Sequence, residues 1–374
     1  MPKQQRQNNN HARRANHPYF KIFLLIVLTL GFAAGAYGFR LYAQAKDAVD
    51  ATFRGVDGHK VSTNIKEGKP LSILLLGVDT GAEGRIDKGN SDTMILATVN
   101  KDKAQTQLVS IPRDTLAKID HKSSNEFDMQ KINAAYNLGG STSAINSVQN
   151  LVNTPIDYYV TIDMGALSKI VDAVGGVDVD VPFSFQYDWR NFKKGPMHLN
   201  GAEALAYSRM RYDDPENDYG RQKRQQQVIK GIVKSAMSLK TLANFEKIMG
   251  TLSKSLATNL TFDDMMTVYQ QYSDATKHIK SDHLQGRNAT IDGSSYQVAS
   301  TKELQRVSNK ARRSLGLTAE TIDNEETKQN KLNKTFWANS EYTNYIVFTP
   351  DDNSASSYED SSSYDSDNTN SDSY

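Results

Sequence analysis

Basic, acidic and amide side chains crowd one stretch of the chain, Leu199–Gln227, which reads LNGAEALAYSRMRYDDPENDYGRQKRQQQ. Arg209 and Arg211 are two residues apart at the end of one helical pattern. Arg221 and Gln225 open the next pattern, after an acidic turn that contains a proline. Guanidinium groups match phosphate oxygens bidentately, and the N-terminus of a helix favours negative charge. The stretch therefore indicates a site for a phosphate-bearing anion.

A helix over Tyr219–Leu239 would place Arg221, Gln225 and Val228 on one face, because these positions recur at i, i+4 and i+7. Arg224 also belongs to the first turns of this helix. The apolar stripe that the helix is expected to bury consists of Val228, Ile229, Ile232, Val233, Ala236 and Met237. A solvated helix face with i,i+4 ion pairs is the alternative explanation of such a charge run.

Two aspartates stand at the ends of neighbouring predicted strands. Asp79 closes the run LLLGVDT and Asp92 opens NSDTM, so antiparallel pairing would bring both carboxylates to one end of a sheet. Ligand sites in open α/β sheets lie at strand ends, and two carboxylates suit Mg²⁺ together with water and substrate phosphates. Arg113 follows the third strand, where Pro112 aims its guanidinium out of the sheet edge. The alternatives are aspartates that bind their own turn backbone and an Arg113 that only pairs with Asp114.

Short apolar runs and helical patterns alternate from Leu71 onward. Strands are predicted at 71–79, 92–100, 106–112, 158–163 and 177–182, and helices at 141–152 and 164–174. The first strand is apolar at nearly every position, as expected for a strand covered on both faces. Asn200 followed by Glu203 predicts a capped start for the helix that leads to Arg209. This alternation predicts an α/β fold with a mixed central β-sheet flanked by helices.

The net charge of +1 over 374 residues conceals an uneven distribution. Residues 1–21 carry five basic residues and no acid, whereas residues 351–374 carry seven acids and no base. Residues 22–39 form an 18-residue run without a charge, which is long enough to span a bilayer. The positive-inside rule then predicts a cytoplasmic basic tail, one transmembrane helix and an extracellular remainder. A cleaved signal peptide is the alternative.

Composition also divides the rest of the chain. We expect an extracellular stalk over 40–70, a globular core over 71–240, a mainly helical C-terminal part over 241–350 and a tail over 351–374. Within the C-terminal part, helices are predicted at 241–283 and 302–315 and a strand at 296–300. The tail has no aliphatic residue except Ala355, so it cannot offset its ordering entropy by burial and is expected to be disordered.

Six motifs follow one another behind the N-terminal apolar segment. They are LLLGVDT, SDTMILATVN, VSIPRDT, KINAAYNLGG, VDAVGGVDVDVP and HLNGAEALAYSRMRYDDPENDYGRQKRQQQ. In this order they resemble the LytR-CpsA-Psr family of cell-wall glycopolymer ligases. The resemblance covers about residues 71–240, and the region after about residue 285 lies outside it.

The resemblance implies a mixed α/β domain with an apolar tunnel for a polyprenyl chain. It implies transfer of wall teichoic acid, capsular polysaccharide or a related polymer from an undecaprenyl pyrophosphate carrier to peptidoglycan, with a phosphodiester bond as the product. Mg²⁺ is the implied cofactor, held by Asp79 and Asp92, either of which is also a candidate acceptor for the proton of the attacking hydroxyl. The arginines implied for pyrophosphate binding are Arg113, Arg209, Arg211 and Arg221. Further polar pocket positions are implied for Lys131, Asp218 and Gln225.

Two other functions compete with this interpretation. A polyprenyl pyrophosphate hydrolase would use the same metal and arginines with water as acceptor, and the sequence hardly separates it from a ligase. A DNA-binding regulator is disfavoured, because the domain would lie outside the membrane and a 21-residue cytoplasmic tail is too short to fold alone. The absence of cysteine excludes disulfides and thiolate metal sites, and the seven histidines show no paired zinc-ligand spacing.

Overall fold

A computed structural model of the chain describes residues 18–56, 62–79, 89–121, 126–236, 250, 252 and 255–350. The strands within them are β1 (Leu71–Asp79), β2 (Asn90–Asn100), β3 (Gln105–Ser110), β4 (Leu116–Lys118), β5 (Met129–Lys131), β6 (Tyr158–Asp163), β7 (Val177–Val181), β8 (Phe185–Tyr187), β9 (Arg190–Phe192), β10 (Gly195–Leu199), β11 (Leu256–Thr258), β12 (His278–His283), β13 (Gly286–Ile291) and β14 (Ser294–Ala299). The helices are α1 (Pro18–Asp50), α2 (Ala134–Val152), α3 (Met164–Ala173), α4 (Gly201–Arg209), α5 (Asn217–Ala236), α6 (Phe262–Gln271), α7 (Thr301–Ser314), α8 (Glu325–Leu332) and α9 (Lys334–Ala338).

Six strands form a central sheet in the order β11-β6-β1-β2-β3-β12. The pairs β1–β2, β2–β3 and β6–β11 are antiparallel, whereas β1–β6 and β3–β12 are parallel. Helices pack on both faces of this sheet. The prediction of an α/β fold with a mixed central sheet flanked by helices is therefore confirmed.

The two faces of β1 have different neighbours, because successive side chains of a strand point to opposite sides. Leu74, Leu76 and Val78 are fully buried and belong to the main apolar core, which α2 and α7 complete. Leu75 and Gly77 lie on the other face, where α3 and α5 cover the sheet around a cavity. The prediction that this strand is covered on both faces is confirmed.

The predicted elements of the core agree with the structure, with small differences at their ends. Helix α2 is interrupted at Gly139 and Gly140, whose backbone angles are not helical, and the predicted helix over 141–152 corresponds to the part after the interruption. The start of α4 has the expected capping box, in which Asn200 and Glu203 exchange hydrogen bonds of 2.9 Å. The interruption of α2 and the start of α4 are thus both set by local sequence.

Helix α1 runs without a break into the segment predicted to be a stalk, residues 40–70. Ala45 and Val49 are buried, and they pack in one apolar cluster with Ala166 of α3 and Phe262 of α6. Apolar residues on one face of the helix hold it against the globular domain.

The predicted membrane-spanning segment, residues 22–39, lies within α1, but most of its side chains fall outside the described part of the chain. Among the residues that are described, no helix is both long and apolar enough to cross a membrane. Residues 1–17 of the predicted basic tail and residues 351–374 of the acidic tail also lie outside the described ranges.

The expectation of a helix over 241–283 is wrong in part within the described residues, since only Phe262–Gln271 is a regular α-helix there. This segment contains β11 and β12, with α6 between them, and the two strands form the two edges of the central sheet. The sequence HIKSDH of β12 has no apolar alternation, because an edge strand can pair through its backbone while most of its side chains face solvent. The strand predicted at 296–300 and the helix predicted at 302–315 are confirmed as β14 and α7.

Asp282 ties the edge strand β12 to α7 through two cations. Its carboxylate accepts hydrogen bonds from Arg306 at 2.7 Å and from Lys310 at 2.6 Å. Burial alone would raise the pKa of Asp282, but these hydrogen bonds and one from the amide of His283 lower it to about 2. The ionised carboxylate is therefore part of what holds this edge of the sheet.

The stabilisation that this carboxylate provides should depend on pH. Because the folded-state pKa lies below the ordinary value of 3.8, ionised Asp282 stabilises the fold above about pH 4, and this contribution is lost as the pH falls towards about 2. Asp282→Asn should lower the free energy of unfolding at pH 7 by about 1–2 kcal/mol, a value reduced for solvent screening of the partly exposed cations. Thermal melts between pH 7 and pH 2 measure the difference.

Asp274→Asn is the matched control, because Asp274 pairs only with Lys277 and both side chains are exposed. The control should melt like the unmodified protein at every pH. A deficit of Asp282→Asn that stays constant down to pH 2 would contradict the role given to this carboxylate.

Candidate active site

A cavity of about 620 Å³ opens between the central sheet and the helices α3, α4 and α5. It gathers most of the residues that the sequence indicated as a site. Those that line it are Asp79, Asp92, Arg113, Arg209, Arg211, Arg221 and Gln225. Lys131 and Asp218 lie beside these residues but do not line the cavity.

An irregularity in the pairing of β1 with β2 directs Asp92 into the cavity. Gly77 lies opposite Thr93, and the next residue, Val78, lies opposite Ser91, so Asp92 is an extra residue in β2. A β-bulge of this kind breaks the alternation of side chains and re-aims the extra residue. As a result Asp92 and Thr93, although consecutive, both line the cavity.

Asp79 is the last residue of β1 and lines the same cavity, as do Leu75 and Gly77 at alternate positions before it. The sequence predicted that an antiparallel pair of strands would bring Asp79 and Asp92 to one end of the sheet, and the structure has this arrangement. Their role as magnesium ligands stays a prediction.

Arg113 follows β3 in a turn that is closed by a hydrogen bond of 3.0 Å from the amide of Thr115 to the carbonyl of Pro112. Its Nη1 atom lies 3.1 Å from Asp92 Oδ1, and its Nε atom lies 3.6 Å from Asp114 Oδ2. Burial alone would lower the pKa of Arg113, but the two carboxylates outweigh it and raise the pKa. Arg113 therefore both lines the cavity and pairs with Asp114, so the two hypotheses for this residue are compatible.

Helix α4 delivers the first arginine pair. It ends at Arg209, and Met210 leaves the helix with a ψ of 137°, which is extended backbone. Arg209 and Arg211 then both line the cavity, with Tyr212 beside them. A continuous helix would have turned residues two apart to different sides, so the sharp helix end is what brings the pair together.

Helix α5 delivers Arg221 and Gln225 from its first turns. Arg221 is buried, and its Nη2 atom lies 2.5 Å from Asp218 Oδ1. Burial lowers the pKa of Arg221; Asp218 counteracts this, but the nearby charges of Arg113 and Arg211 lower it further. Its Nε atom is buried and makes no hydrogen bond to any residue that the structure describes. Guanidinium groups that crowd in this way favour the binding of an anion.

Lys131 and Asp218 are partners of the residues that line the cavity. Lys131 lies 2.9 Å from Asp114 and sits over the ring of Tyr296 at 5.4 Å. Asp218, besides its ion pair within α5, accepts a hydrogen bond of 2.7 Å from Gln222. These contacts indicate that the two residues hold neighbouring arginines in place.

Most of the rest of the cavity wall is apolar. Strand β6 and helix α3 contribute Val160, Ile162, Met164, Leu167 and Ile170, and α5 contributes Val228, Ile229, Ile232 and Val233. The predicted buried stripe of α5 is therefore wrong in part. Its first four residues face the cavity, and only Val228 among them is fully buried, while Ala236 is half-buried and Met237 lies outside the described residues. The helix turns its apolar face towards a space that a ligand can fill.

Five polar or aromatic residues of the lining were not predicted as site residues from the sequence, namely Thr93, Asp163, Tyr187, Ser208 and Tyr212. Tyr212 is 90% exposed and directly follows Arg211, so its adjacency to the arginine pair was the available signal. Tyr187 comes from the small hairpin of β8 and β9, which only the folded chain brings to the cavity. The lining as a whole suits a ligand with an anionic group and a long apolar chain.

Comparisons with known proteins agree with the family resemblance of the motifs. A family model described as the LytR_cpsA_psr family matches residues 37–313. The match is wider than the 71–240 covered by the motifs, so the expectation that the region after about residue 285 lies outside the family is wrong for the residues up to 313. Strand β12 completes the central sheet and helix α7 completes the core, and neither has a distinctive motif.

Two curated relatives cover most of this chain. The first, from Enterococcus faecalis, is named polyisoprenyl-teichoic acid–peptidoglycan teichoic acid transferase TagU and is 41% identical over 297 residues, which are 79% of this chain and 97% of the relative. The second, Biofilm regulatory protein A from Streptococcus mutans, is 40% identical and matches 82% of this chain and 80% of its own.

A crystal structure of a Streptococcus agalactiae protein has the same fold, with a TM-score of 0.65 and 38% identity. It covers 72% of this chain and 95% of its own. The motifs, the fold and the extent of these matches lead to one conclusion: the chain belongs to the LytR_cpsA_psr family.

Proposed function

We propose that this chain is a membrane-anchored phosphotransferase that moves a glycopolymer, such as wall teichoic acid, from a polyprenyl pyrophosphate carrier to peptidoglycan. The observation that carries the proposal is one cavity with two kinds of wall. Four arginines and three aspartates (Asp79, Asp92 and Asp163) contribute the charged wall, and aliphatic side chains of β6, α3 and α5 contribute the apolar wall. The transferase name of the Enterococcus faecalis relative supports the same reaction.

The arginines match the charge that the reaction develops. An acceptor hydroxyl oxygen bonds to the polymer-side phosphorus, the bond from that phosphorus to the bridging oxygen breaks, and polyprenyl monophosphate leaves. Arg113 and Arg221, together with the Arg209–Arg211 pair, stabilise the charge that grows on the leaving phosphate. Asp79 or Asp92 accepts the proton of the attacking hydroxyl.

The donor set fits a magnesium ion. Asp79 and Asp92 both line the arginine-rich part of the cavity, and Mg²⁺ binds through one or two carboxylates plus substrate phosphates and water. When bound, the ion would neutralise charge on the pyrophosphate oxygens. Arg113 already contacts Asp92, so it holds that carboxylate in the cavity.

Membrane attachment through residues 22–39 and an extracellular domain complete the proposal. A polyprenyl carrier lies in the bilayer, so an anchor would keep the cavity near its donor. The excess of positive charge before this segment supports an N-terminus in the cytoplasm. Protease added to wall-stripped cells should then remove the domain.

The deciding experiment incubates the purified protein with Mg²⁺, a lipid-linked teichoic acid precursor and peptidoglycan fragments. Mass spectrometry should find the polymer joined to the fragment through a phosphodiester, with polyprenyl monophosphate released. Release of free polymer phosphate at the same rate with and without fragments would instead identify a hydrolase.

The first variant test concerns the carboxylate at the bulge. Asp92→Asn should lower the Mg²⁺-dependent transfer rate by about 100-fold or more, because a metal ligand or general base is lost. Transfer assays over a range of Mg²⁺ concentrations measure it, beside thermal melts that establish folding. Asp178→Asn is the control. Asp178 lies on β7, is exposed, pairs with His198 and does not line the cavity. Unchanged transfer by folded Asp92→Asn would refute the proposed site.

The second variant test separates the two walls of the cavity. Arg221→Gln should weaken binding of inorganic pyrophosphate about ten- to a hundredfold, because a charge-assisted contact is worth about 1.5–3 kcal/mol. It should spare binding of geranylgeraniol, a prenyl alcohol. Ile232→Trp should do the reverse, since the larger ring fills the apolar part. Calorimetric titrations measure both ligands. Equal losses for both ligands in either variant would count against a divided cavity.

A further inference from the structure

Arg224 is the one arginine of the Leu199–Gln227 stretch, within the described residues, that does not line the cavity. It lies one turn after Arg221 on α5, yet its side chain is 1% exposed and points towards the interior beside the cavity wall. A buried guanidinium requires partners for its charge and its donors. Those partners show what the residue does.

The three nitrogens of Arg224 each contact a different point of the last turn of α4 and the segment that follows it. Nε donates to the carbonyl of Tyr207 at 3.0 Å, Nη2 donates to the carbonyl of Met210, and Nη1 pairs with the carboxylate of Asp214. The guanidinium also lies over the rings of Phe185 and Tyr207, at 5.6 and 5.9 Å from their centroids. The plane of the side chain is thus fixed from several sides.

These three points bracket the arginine-bearing part of the cavity wall. The residues of the bracketed segment that line the cavity are Ser208, Arg209, Arg211 and Tyr212. The last carbonyls of a helix have no partner within the helix, so the end of α4 needs donors from elsewhere. Arg224 supplies these donors to the carbonyls of Tyr207 and Met210, on either side of Arg209.

The surroundings of Asp214 are also tightly packed. Asp214 Oδ1 accepts a hydrogen bond of 2.8 Å from the amide of Glu216, and the amide of Asp214 donates to the carbonyl of Arg211 at 3.2 Å. Gly220 lies directly against the Asp214 carboxylate, and a Cβ atom at this position would collide with it. Glycine is required here for close approach.

The charge of Arg224 does not serve the cavity, because buried Asp214 neutralises it locally. Its fork geometry is what matters: a lysine keeps the charge but has no planar set of donors to reach three separated acceptors. We infer that Arg224 is a positioning residue, which holds Arg209 and Arg211 in the conformation that binds the pyrophosphate. The identity of the ligand, pyrophosphate, rests on the proposed function. The positioning role of Arg224 rests on the geometry alone.

The test compares Arg224→Lys with Arg287→Lys. Arg287 is a chemically matched control, since its guanidinium donates to three carbonyls, those of Phe336, Asn339 and Tyr342, and lies over the ring of Phe336. It lies outside the cavity lining. Both variants should lose some thermal stability. Only Arg224→Lys should weaken the binding of inorganic pyrophosphate, by about tenfold or more, since misplaced groups bind poorly; geranylgeraniol binding should not change.

Hydrogen exchange of residues 208–213 in the ligand-free protein gives a second readout. Arg224→Lys should speed exchange in this segment, whereas Arg287→Lys should not. Equal weakening of pyrophosphate and geranylgeraniol binding would overturn the inference, as would unchanged binding and unchanged exchange. If Arg224→Lys does not fold, Gly220→Ala decides by the same readouts, because it displaces Asp214 while every charge is kept.

The two proposals fail in different ways. If the unmodified protein does not bind pyrophosphate and Arg224→Lys still speeds exchange over 208–213, the proposed ligand is wrong and the positioning role of Arg224 stands. If the unmodified protein binds pyrophosphate and Arg224→Lys binds it equally well with normal exchange, the positioning role is wrong and the proposed function is unaffected.

Discussion

The pairing of β1 with β2 is the constraint on which the rest of the site depends. Up to Gly77 the two strands alternate regularly, so one face of β1 belongs to the main core and the other face, from Leu75 onward, lines the cavity. The extra residue in β2 then changes the register after Gly77. Asp92 enters the cavity because of this change, and its contact with Arg113 fixes the turn after β3 in relation to the first two strands. The extra residue Asp92 thus links β1, β2 and the turn after β3 at the polar part of the cavity.

Like charges held close together give the polar part of the cavity its character. Burial lowers the pKa of Arg221, and repulsion from the charges of Arg113 and Arg211 lowers it further, although Asp218 counteracts the lowering. A bound polyanion would relieve this repulsion, so part of the binding energy is prepared in the free protein. The pair of Arg224 and Asp214, by contrast, is neutral as a unit and buried. The same short stretch of sequence therefore supplies both the arginine charges of the cavity and the buried ion pair that holds the surrounding segment in place.

The sequence predicted the alternation of strands and helices and most of the charged lining, because these depend on local periodicity and on residues at strand and helix ends. Asp79, Arg209, Arg211 and Gln225 belong to this class. Three features depended on contacts distant in sequence and were not predictable in this way. The bulge at Asp92 arises from cross-strand pairing, and the edge strand β12 has a polar sequence without alternation. The apolar stripe of α5 looked like core, because periodicity identifies an apolar face without indicating whether protein or ligand covers it.

The order of strands in the central sheet also constrains how the chain can fold. Strand β12 adds to the edge formed by β3 in a parallel pairing that joins Gln105 to His278, and β11 closes the opposite edge against β6. Contacts between such distant residues carry a large loop-closure entropy and form slowly. A chain that emerges N-terminus first would expose the β6 edge of the nascent sheet until residues 256–258 became available, and the β3 edge until residues 278–283 became available. Chaperones that shield exposed strand edges would thus be most useful to this protein during that interval.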